Sequence, residues 1–472
     1  MNDKMLKRLK IMKYAYLVVF LMVCGYLVYF NLFESRSVSA NSYNRRLRNT
    51  QSNIIRGSIM DRNGDVLAKS YKVNSRKAQK PIQREYVYGR TFSHIIGYSS
   101  EGYGSSGLEA FFNKELITSD NTIENLKSKA NGYYINGNNI RLTLDKTLQQ
   151  YAATQLKGKK GSIVVLNPRT GEVLAMVSKP DFDPSDINDA GWEKLVADED
   201  SPLLNRATDG LYPPGSIFKV VVAASILENN LQDTIVDCVG KTNVEGYEIK
   251  DNDGTKHGEI GFGDAFSKSC NSFFINLGLK LGINNLSNET TKFKFNKTIP
   301  SDIKITQSSF PIKSDQKSVA QQSIGQGSVL ITPMHAALIA ATVANKGVMM
   351  EPYCVDSIIG ADSKVLKIFK PKQIGTVIAP GVAEQLTAMM TDVVKSGTGT
   401  QAKSSKYKVA GKTGTAQIAN GKAHAWFIGF APADDPQIAI AVLVENGGSG
   451  GSTAAPIAGS IIKKALSLSP SW

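Results

Sequence analysis

Tyr14 to Phe33 is a run of 20 residues without a charge, and it constrains where everything else in the chain can fold. As a helix rising 1.5 Å per residue it covers about 30 Å, the thickness of a bilayer's hydrocarbon core. Lys4, Lys7, Arg8, Lys10 and Lys13 precede it, against the single acid Asp3. Basic flanks stay cytoplasmic. The expected layout is therefore a cytoplasmic tail at 1–13, a transmembrane anchor at 14–33, and an extracytoplasmic remainder from Glu34 onward. A leader cleaved after Val38-Ser39-Ala40 is the competing reading. Cleavable leaders carry apolar cores of roughly 7–15 residues, so the longer run favours retention.

The whole chain of 472 residues exceeds one core, and 42% apolar against 20% charged residues excludes a disordered polymer. A formal net charge of +14 suits anionic surroundings. An ectodomain facing away from the cytoplasm leaves membrane surface and anionic wall polymer, and excludes nucleic acid. Cys24 lies in the apolar run, which leaves Cys238, Cys270 and Cys354 outside. An odd count in so large a domain points away from a disulfide framework.

Ser35 to Asn53 is polar and rich in Ser, Asn and Arg, the composition of a linker. Arg62-Asn63-Gly64-Asp65 then separates two short apolar runs, a β-hairpin pattern. A second hairpin is expected at Ser162 to Val177 around Pro168-Arg169-Thr170-Gly171. A small module at 34–145 and a larger domain at 146–472 follow. In the larger domain Ile217 to Leu227, Ala336 to Ala344 and Ala454 to Leu466 read as helices, and Tyr407 to Gln417, Ala425 to Phe430 and Ile438 to Val444 as neighbouring strands. Helices around a mostly antiparallel sheet give an α+β fold.

Three cassettes lie in that domain: Ser216-Ile217-Phe218-Lys219, Ser269-Cys270-Asn271 and Lys412-Thr413-Gly414-Thr415. A serine hydroxyl becomes a nucleophile when a neighbouring base takes its proton, and a desolvated lysine of depressed pKa serves as one. Lys219 stands one helical turn from Ser216 and therefore on the same face, among the apolar Ile217, Phe218 and Val220 to Val222. Ser269 is placed to relay a proton to a leaving amine, and the Asn271 amide to hold a peptide. Lys412 and Thr413 on a strand can grip a carboxylate, while Gly414 lets a ligand approach the backbone. The backbone N–H groups of Ser216 and Thr415 are the candidate oxyanion hole. A phosphate-binding loop is excluded because Lys406 stands where its first glycine belongs and a strand follows in place of a helix.

These cassettes, in this order, resemble those of the class B penicillin-binding proteins. The resemblance spans nearly the whole chain. Arg56-Gly57-Ser58-Ile59-Met60-Asp61-Arg62-Asn63-Gly64 and Gly107-Leu108-Glu109 are similar to the family's N-terminal pedestal, and Trp426-Phe427-Ile428-Gly429-Phe430-Ala431-Pro432 to the strand that pairs with Lys-Thr-Gly. It implies a transpeptidase fold on a small β-rich pedestal. It implies acylation of Ser216 by a D-Ala-D-Ala stem peptide of peptidoglycan, release of D-alanine, attack by an amine of a neighbouring stem, and inhibition by β-lactams. About 110 residues between anchor and catalytic domain hold no glycosyltransferase module, so a glycosyltransferase partner is implied for glycan synthesis. A β-lactamase and a catalytically idle β-lactam sensor are the alternatives. The first is usually shorter and lacks a pedestal; the second is expected to lose a cassette residue or to carry a signalling domain.

Asp237, Cys238, Asp251, Asp253 and His257 gather just before the Ser-x-Asn segment. They are zinc ligand types whose spacing matches no familiar finger, and no metal or cofactor is assigned from sequence. Cys270 reads as a small packed residue and His424 as a hydrogen-bonding neighbour of the site.

Overall fold

The computed structural model describes residues 3–30, 54–73, 82–119 and 134–468. The linker, the Val38-Ser39-Ala40 box and the last residues of the apolar run lie outside them. The first helix, α1 (Asp3–Tyr29), begins earlier than the apolar run because its Lys, Leu, Met and Arg residues are themselves good helix formers. Among the described residues it contains the one helix long and apolar enough to cross a membrane, over Lys7–Tyr29.

The N-terminal module is built on β1 (Ile59–Met60), β2 (Val66–Lys72), β3 (Ile82–Tyr86) and β4 (Asn139–Leu142). The Asn63-Gly64 turn joins β1 to β2 as expected, with Gly64 at φ 89° and the Asp61 carboxylate accepting from the N–H groups of Asn63 and Asp65 at 2.9 Å each. Arg56 and Glu109, from the two pedestal-like segments, meet in a buried ion pair, and Arg84 Nε donates to the other Glu109 oxygen at 2.8 Å. Burial pushes the Glu109 carboxyl upward, but the two guanidiniums overcome it and hold the group below the ordinary carboxylate value.

The larger domain runs through α2 (Lys146–Gln155), β5 (Gly161–Leu166), β6 (Val173–Lys179), α3 (Lys219–Glu228), α4 (Asn271–Lys292) and α5 (Pro333–Ala344). Next come β7 (Val355–Ile359), β8 (Val365–Ile368), α6 (Pro380–Lys395), β9 (Ala410–Ala416), β10 (His424–Ala431), β11 (Ile438–Val444) and α7 (Ala455–Leu468). Five of these strands form an antiparallel sheet in the order β6-β5-β11-β10-β9. Helices cover both faces, so its strands read as continuous apolar runs. Ile163, Val165, Phe427 and Val442 face α2 and α7, while Val164, Trp426, Ile428 and Ala441 face the helical layer containing α3 and α5. Helix α5 is buried at every residue and α3 at all but its last, which explains why neither shows an apolar stripe.

One relationship departs from the sequence reading, which placed no strand of the first module beyond residue 145. Strands β7 and β8 leave the second domain to extend the first module's sheet, whose order is β8-β7-β4-β1-β2-β3. Asp302 fastens this junction, accepting from the N–H of Cys354 at 2.8 Å and of Val355 at 2.8 Å.

Candidate active site

Pro213-Pro214-Gly215 delivers the chain into a short 3-10 turn, Gly215–Phe218, that runs on directly into α3. Gly215 has φ 55°, and its N–H donates to Gly325 O at 2.8 Å. Gly325, at φ 69°, is itself constrained, since a Cβ there would stand 2.2 Å from Gly215 O. Trp426 Nε1 donates to Pro213 O at 3.0 Å and holds the entry to the turn. Ser216 is thus half-buried at the start of a buried helix, with Lys219 fully buried one turn on.

Strand β9 is the edge of the five-stranded sheet, pairing with β10 alone among the described residues. It runs against the Ser216 turn: a Cβ on Gly414 would lie 3.0 Å from Pro214 O, and one on Gly215 2.9 Å from Thr415 O. Glycine at both positions is therefore what lets the two backbones approach.

The second cassette completes the cleft. Ser269 takes the left-handed conformation, φ 60°, just before α4, whose N-cap is Cys270 with its Sγ accepting from Phe273 N–H at 3.4 Å. That strained backbone turns Ser269 toward both lysines. Lys219 Nζ donates to Ser269 O at 2.7 Å, to Ser269 Oγ at 3.3 Å and to Asn271 Oδ1 at 2.8 Å. Lys412 Nζ donates to the same Ser269 Oγ at 2.9 Å and to Thr413 O at 3.2 Å. Burial lowers the Lys219 ammonium to about 8, with the Asp251 carboxylate among the groups opposing the shift. Burial, with repulsion from Lys219, holds Lys412 well below the ordinary lysine value. Aromatic faces line the enclosure: Phe274 is 5.2 Å from Lys219 Nζ, and Phe266 is 5.7 Å from Lys412 Nζ.

Of the predicted residues, Lys219, Ser269, Asn271 and Lys412 form one hydrogen-bonded cluster, and Ser216, Gly414 and Thr415 border it through backbone approach. The Asn271 amide is engaged at both ends, accepting from Lys219 and donating Nδ2 to Lys250 O at 2.9 Å. One amide N–H remains for a ligand. Sequence reasoning missed Thr398, whose Oγ1 lies 2.6 Å from Thr413 Oγ1, and Gly450, whose N–H donates to Thr415 Oγ1 at 3.3 Å. The Ser396-Gly397-Thr398-Gly399-Thr400 loop was the available signal. It also missed Glu445, which accepts from Arg206 Nε at 2.6 Å and from Tyr212 OH at 2.7 Å and so braces the segment before Ser216. His424 Nδ1 accepts from Asn446 N–H at 3.1 Å, and His424 stands opposite Ala416 of β9.

A desolvated amine one turn on from a serine, a second hydroxyl bridging two lysines and an open strand edge together suit acyl transfer to and from a peptide. The residues 161–463 match the family model described as the penicillin binding protein transpeptidase domain, and 56–140 that described as the penicillin binding protein A dimerisation domain. The chain is 33% identical over 465 residues to the peptidoglycan D,D-transpeptidase PbpA of Mycolicibacterium smegmatis, covering 92% of this chain and 94% of that one. Among solved structures, the ceftriaxone acyl-enzyme complex of penicillin-binding protein A from M. tuberculosis aligns with a TM-score of 0.83 at 30% identity, over 88% of this chain and 99% of that one. The penicillin G acyl-enzyme complex of the same protein aligns with a TM-score of 0.81 at 32% identity, over 88% and 100%.

Proposed function

The chain belongs to the class B penicillin-binding proteins, and from that premise we propose how its own residues perform peptidoglycan D,D-transpeptidation. It is a serine D,D-transpeptidase acylated by β-lactams. Ser216 Oγ attacks the carbonyl of the penultimate D-alanine while Lys219, as the neutral amine, takes the hydroxyl proton. A neutral lysine keeps two N–H donors for Ser269 O and Asn271 Oδ1, its two shorter contacts, and frees its lone pair. The oxyanion settles on the N–H groups of Ser216 and Thr415. Its collapse breaks the C–N bond, and Ser269 passes the proton from Lys219 to the departing D-alanine amine. An amine of a neighbouring stem peptide then attacks the ester and restores Ser216.

Lys412 and Thr413 bind the terminal carboxylate. An entering anion raises the depressed Lys412 and draws a proton onto it, so the ion pair forms with the substrate. In a β-lactam the broken C–N bond lies in the ring, so the leaving amine stays tethered to the acyl group.

The observation that carries this reading is the convergence of Lys219 and Lys412 on one Ser269 hydroxyl. Labelling with a fluorescent penicillin followed by peptide mapping tests it. The adduct is expected on the Ser216 peptide and absent from Ser216→Ala; an adduct on another serine overturns the assignment.

The same reading makes α1 a lipid-embedded anchor with its basic end cytoplasmic, supported by Lys4, Lys7, Arg8, Lys10 and Lys13. It takes 34–145 as pedestal and 146–472 as catalytic domain. Because the chemistry described joins peptides only, a glycosyltransferase partner supplies the glycan strands.

A further inference from the structure

The end of β9 away from Thr415 meets a groove of about 690 Å³, lined by none of the cassette residues. One wall is α6, which turns Glu384, Ala388, Thr391 and Lys395 toward it; positions three or four apart form one stripe along a helix. The other wall is the segment Lys403 to Val409, which leads from the Thr398 loop back to the start of β9. Ala433 and Asp434, just past β10, complete the lining, and Ala433 N–H donates to Lys408 O at 2.9 Å. Ala388, Val394, Tyr407 and Val409 give the groove apolar surface, and Lys395, Lys403, Lys406 and Lys408 stand exposed around it. Among the described residues none of these four lysines forms an ion pair. Three acids, Glu384, Asp392 and Asp434, share the rim, so it offers both signs of charge.

The direction of the donor peptide decides what reaches this groove. Its scissile carbonyl lies on the Thr415 N–H and its terminal carboxylate on Lys412 and Thr413, so the departing D-alanine points against the direction of β9, toward Val409. Aminolysis is acylation run backwards with a different amine, and the acceptor nitrogen takes the place that the leaving nitrogen vacated. The new C–N bond forms, the C–O bond to Ser216 breaks, and the amine's proton returns to Ser216 Oγ through Lys219. An acceptor larger than D-alanine therefore extends past Lys412. Val409 lies three residues before Lys412, about 10 Å further on at 3.4 Å per residue. The α6 wall leads into the same clamp: Lys395 is three residues before Thr398, whose Oγ1 meets Thr413 Oγ1.

We propose that the groove between α6 and Lys403 to Val409 binds the acceptor stem, a peptide that carries the nucleophilic amine and at least one carboxylate. The lysines meet its carboxylates, the acids its remaining N–H groups, and the apolar surface its aliphatic carbons. This rests on the transpeptidase reading, because only there does a second peptide replace D-alanine.

The test uses the full chain in detergent, acylated at Ser216 by a donor ending in a D-alanyl thioester, with transfer measured to two amines. One is a stem peptide with a free side-chain amine and a free C-terminal carboxylate; the other is free glycine, which ends at Lys412. Lys406→Glu combined with Lys408→Glu should raise KM for the stem peptide about tenfold while transfer to glycine stays within about twofold. Ala388→Trp, which fills the groove without changing its charge, should act in the same direction. Lys463→Glu, an exposed reversal on α7, should alter neither amine. A stem peptide with a photoreactive group remote from its amine should attach to the unmodified chain within residues 384–409. Unchanged stem-peptide KM in groove variants that label normally with penicillin, or photoattachment confined elsewhere, overturns the proposal. If a variant fails to label, its fold is lost and the photoattachment decides. An unmodified chain whose Ser216 takes no penicillin instead overturns the transpeptidase reading.

Discussion

Lys219 and Lys412 share one hydroxyl: their Nζ atoms reach Ser269 Oγ at 3.3 and 2.9 Å. Burial costs both ammonium ions their solvation, and Lys219 in addition repels Lys412, so both lysines are pushed toward the neutral form. One amine is thereby available near neutral pH to accept a proton, and the other to receive one together with an anionic ligand.

Acylation by penicillin should rise with pH through about 8, where Lys219 loses its proton. A lowered amine pKa enlarges the basic fraction at a given pH, and below it the rate should fall about tenfold per unit. Stopped-flow acylation between pH 6 and 9.5 reads this; a flat profile would remove Lys219 as the base.

Lys219→Ala should slow acylation by about 10²–10⁴-fold, the usual cost of losing a general base. Lys412→Ala removes a charge-assisted hydrogen bond to the ligand carboxylate, about 1.5–3 kcal/mol, and should act mainly on ligand affinity. Equal acylation constants for wild type and Lys219→Ala would contradict the division of roles.

Gly325→Ala should damage catalysis while leaving the fold in place. The new methyl group would stand 2.2 Å from Gly215 O and 2.7 Å from Phe218 Cβ, and so displace the turn carrying Ser216. A shift near 1 Å costs about 10²-fold in rate. Unchanged labelling with unchanged circular dichroism would show that the turn has slack.

Glu109→Ala should strand Arg56 and Arg84 in the pedestal and cost about 3–5 kcal/mol. Calorimetry should show an earlier transition. Neither arginine touches the cassettes, so Ser216 labelling at low temperature should survive; its loss there would mean that the pedestal sets the cleft's geometry.

The penicilloyl adduct should be long-lived, because hydrolysis needs a carboxylate that positions water behind the ester. Glu228 is occupied with Lys292 at the far end of α3, and Asp251 is turned toward Asn271 and Ser272. Mass spectrometry after removal of free drug should find the adduct persisting. Free enzyme within seconds would favour a β-lactamase.

The expected strands, and helix boundaries to within a few residues, follow from local signals. The run Ile163 to Leu166 is apolar at every position because the sheet is buried on both faces, and the Asn63-Gly64 pair fixes a turn on its own. The cassettes were legible for a similar reason: Ser216 and Lys219 are one helical turn apart, so their shared face is a local property.

Distance in sequence set the limit. Strands β7 and β8 were not singled out in the sequence, and hydrogen-bond partners 200 residues away leave no local trace; only the assembled sheet joins them to the first module. Thr398 counts for nothing until its loop lies against Thr413. The sequence by itself determined which groups could do the chemistry, because chemical type and near-neighbour spacing are written residue by residue. The tertiary structure decided which of them are dry, paired and perturbed: burial and long-range contact exist only once the helical layer closes over β9, and they turn two ordinary lysines into a proton acceptor and a carboxylate clamp.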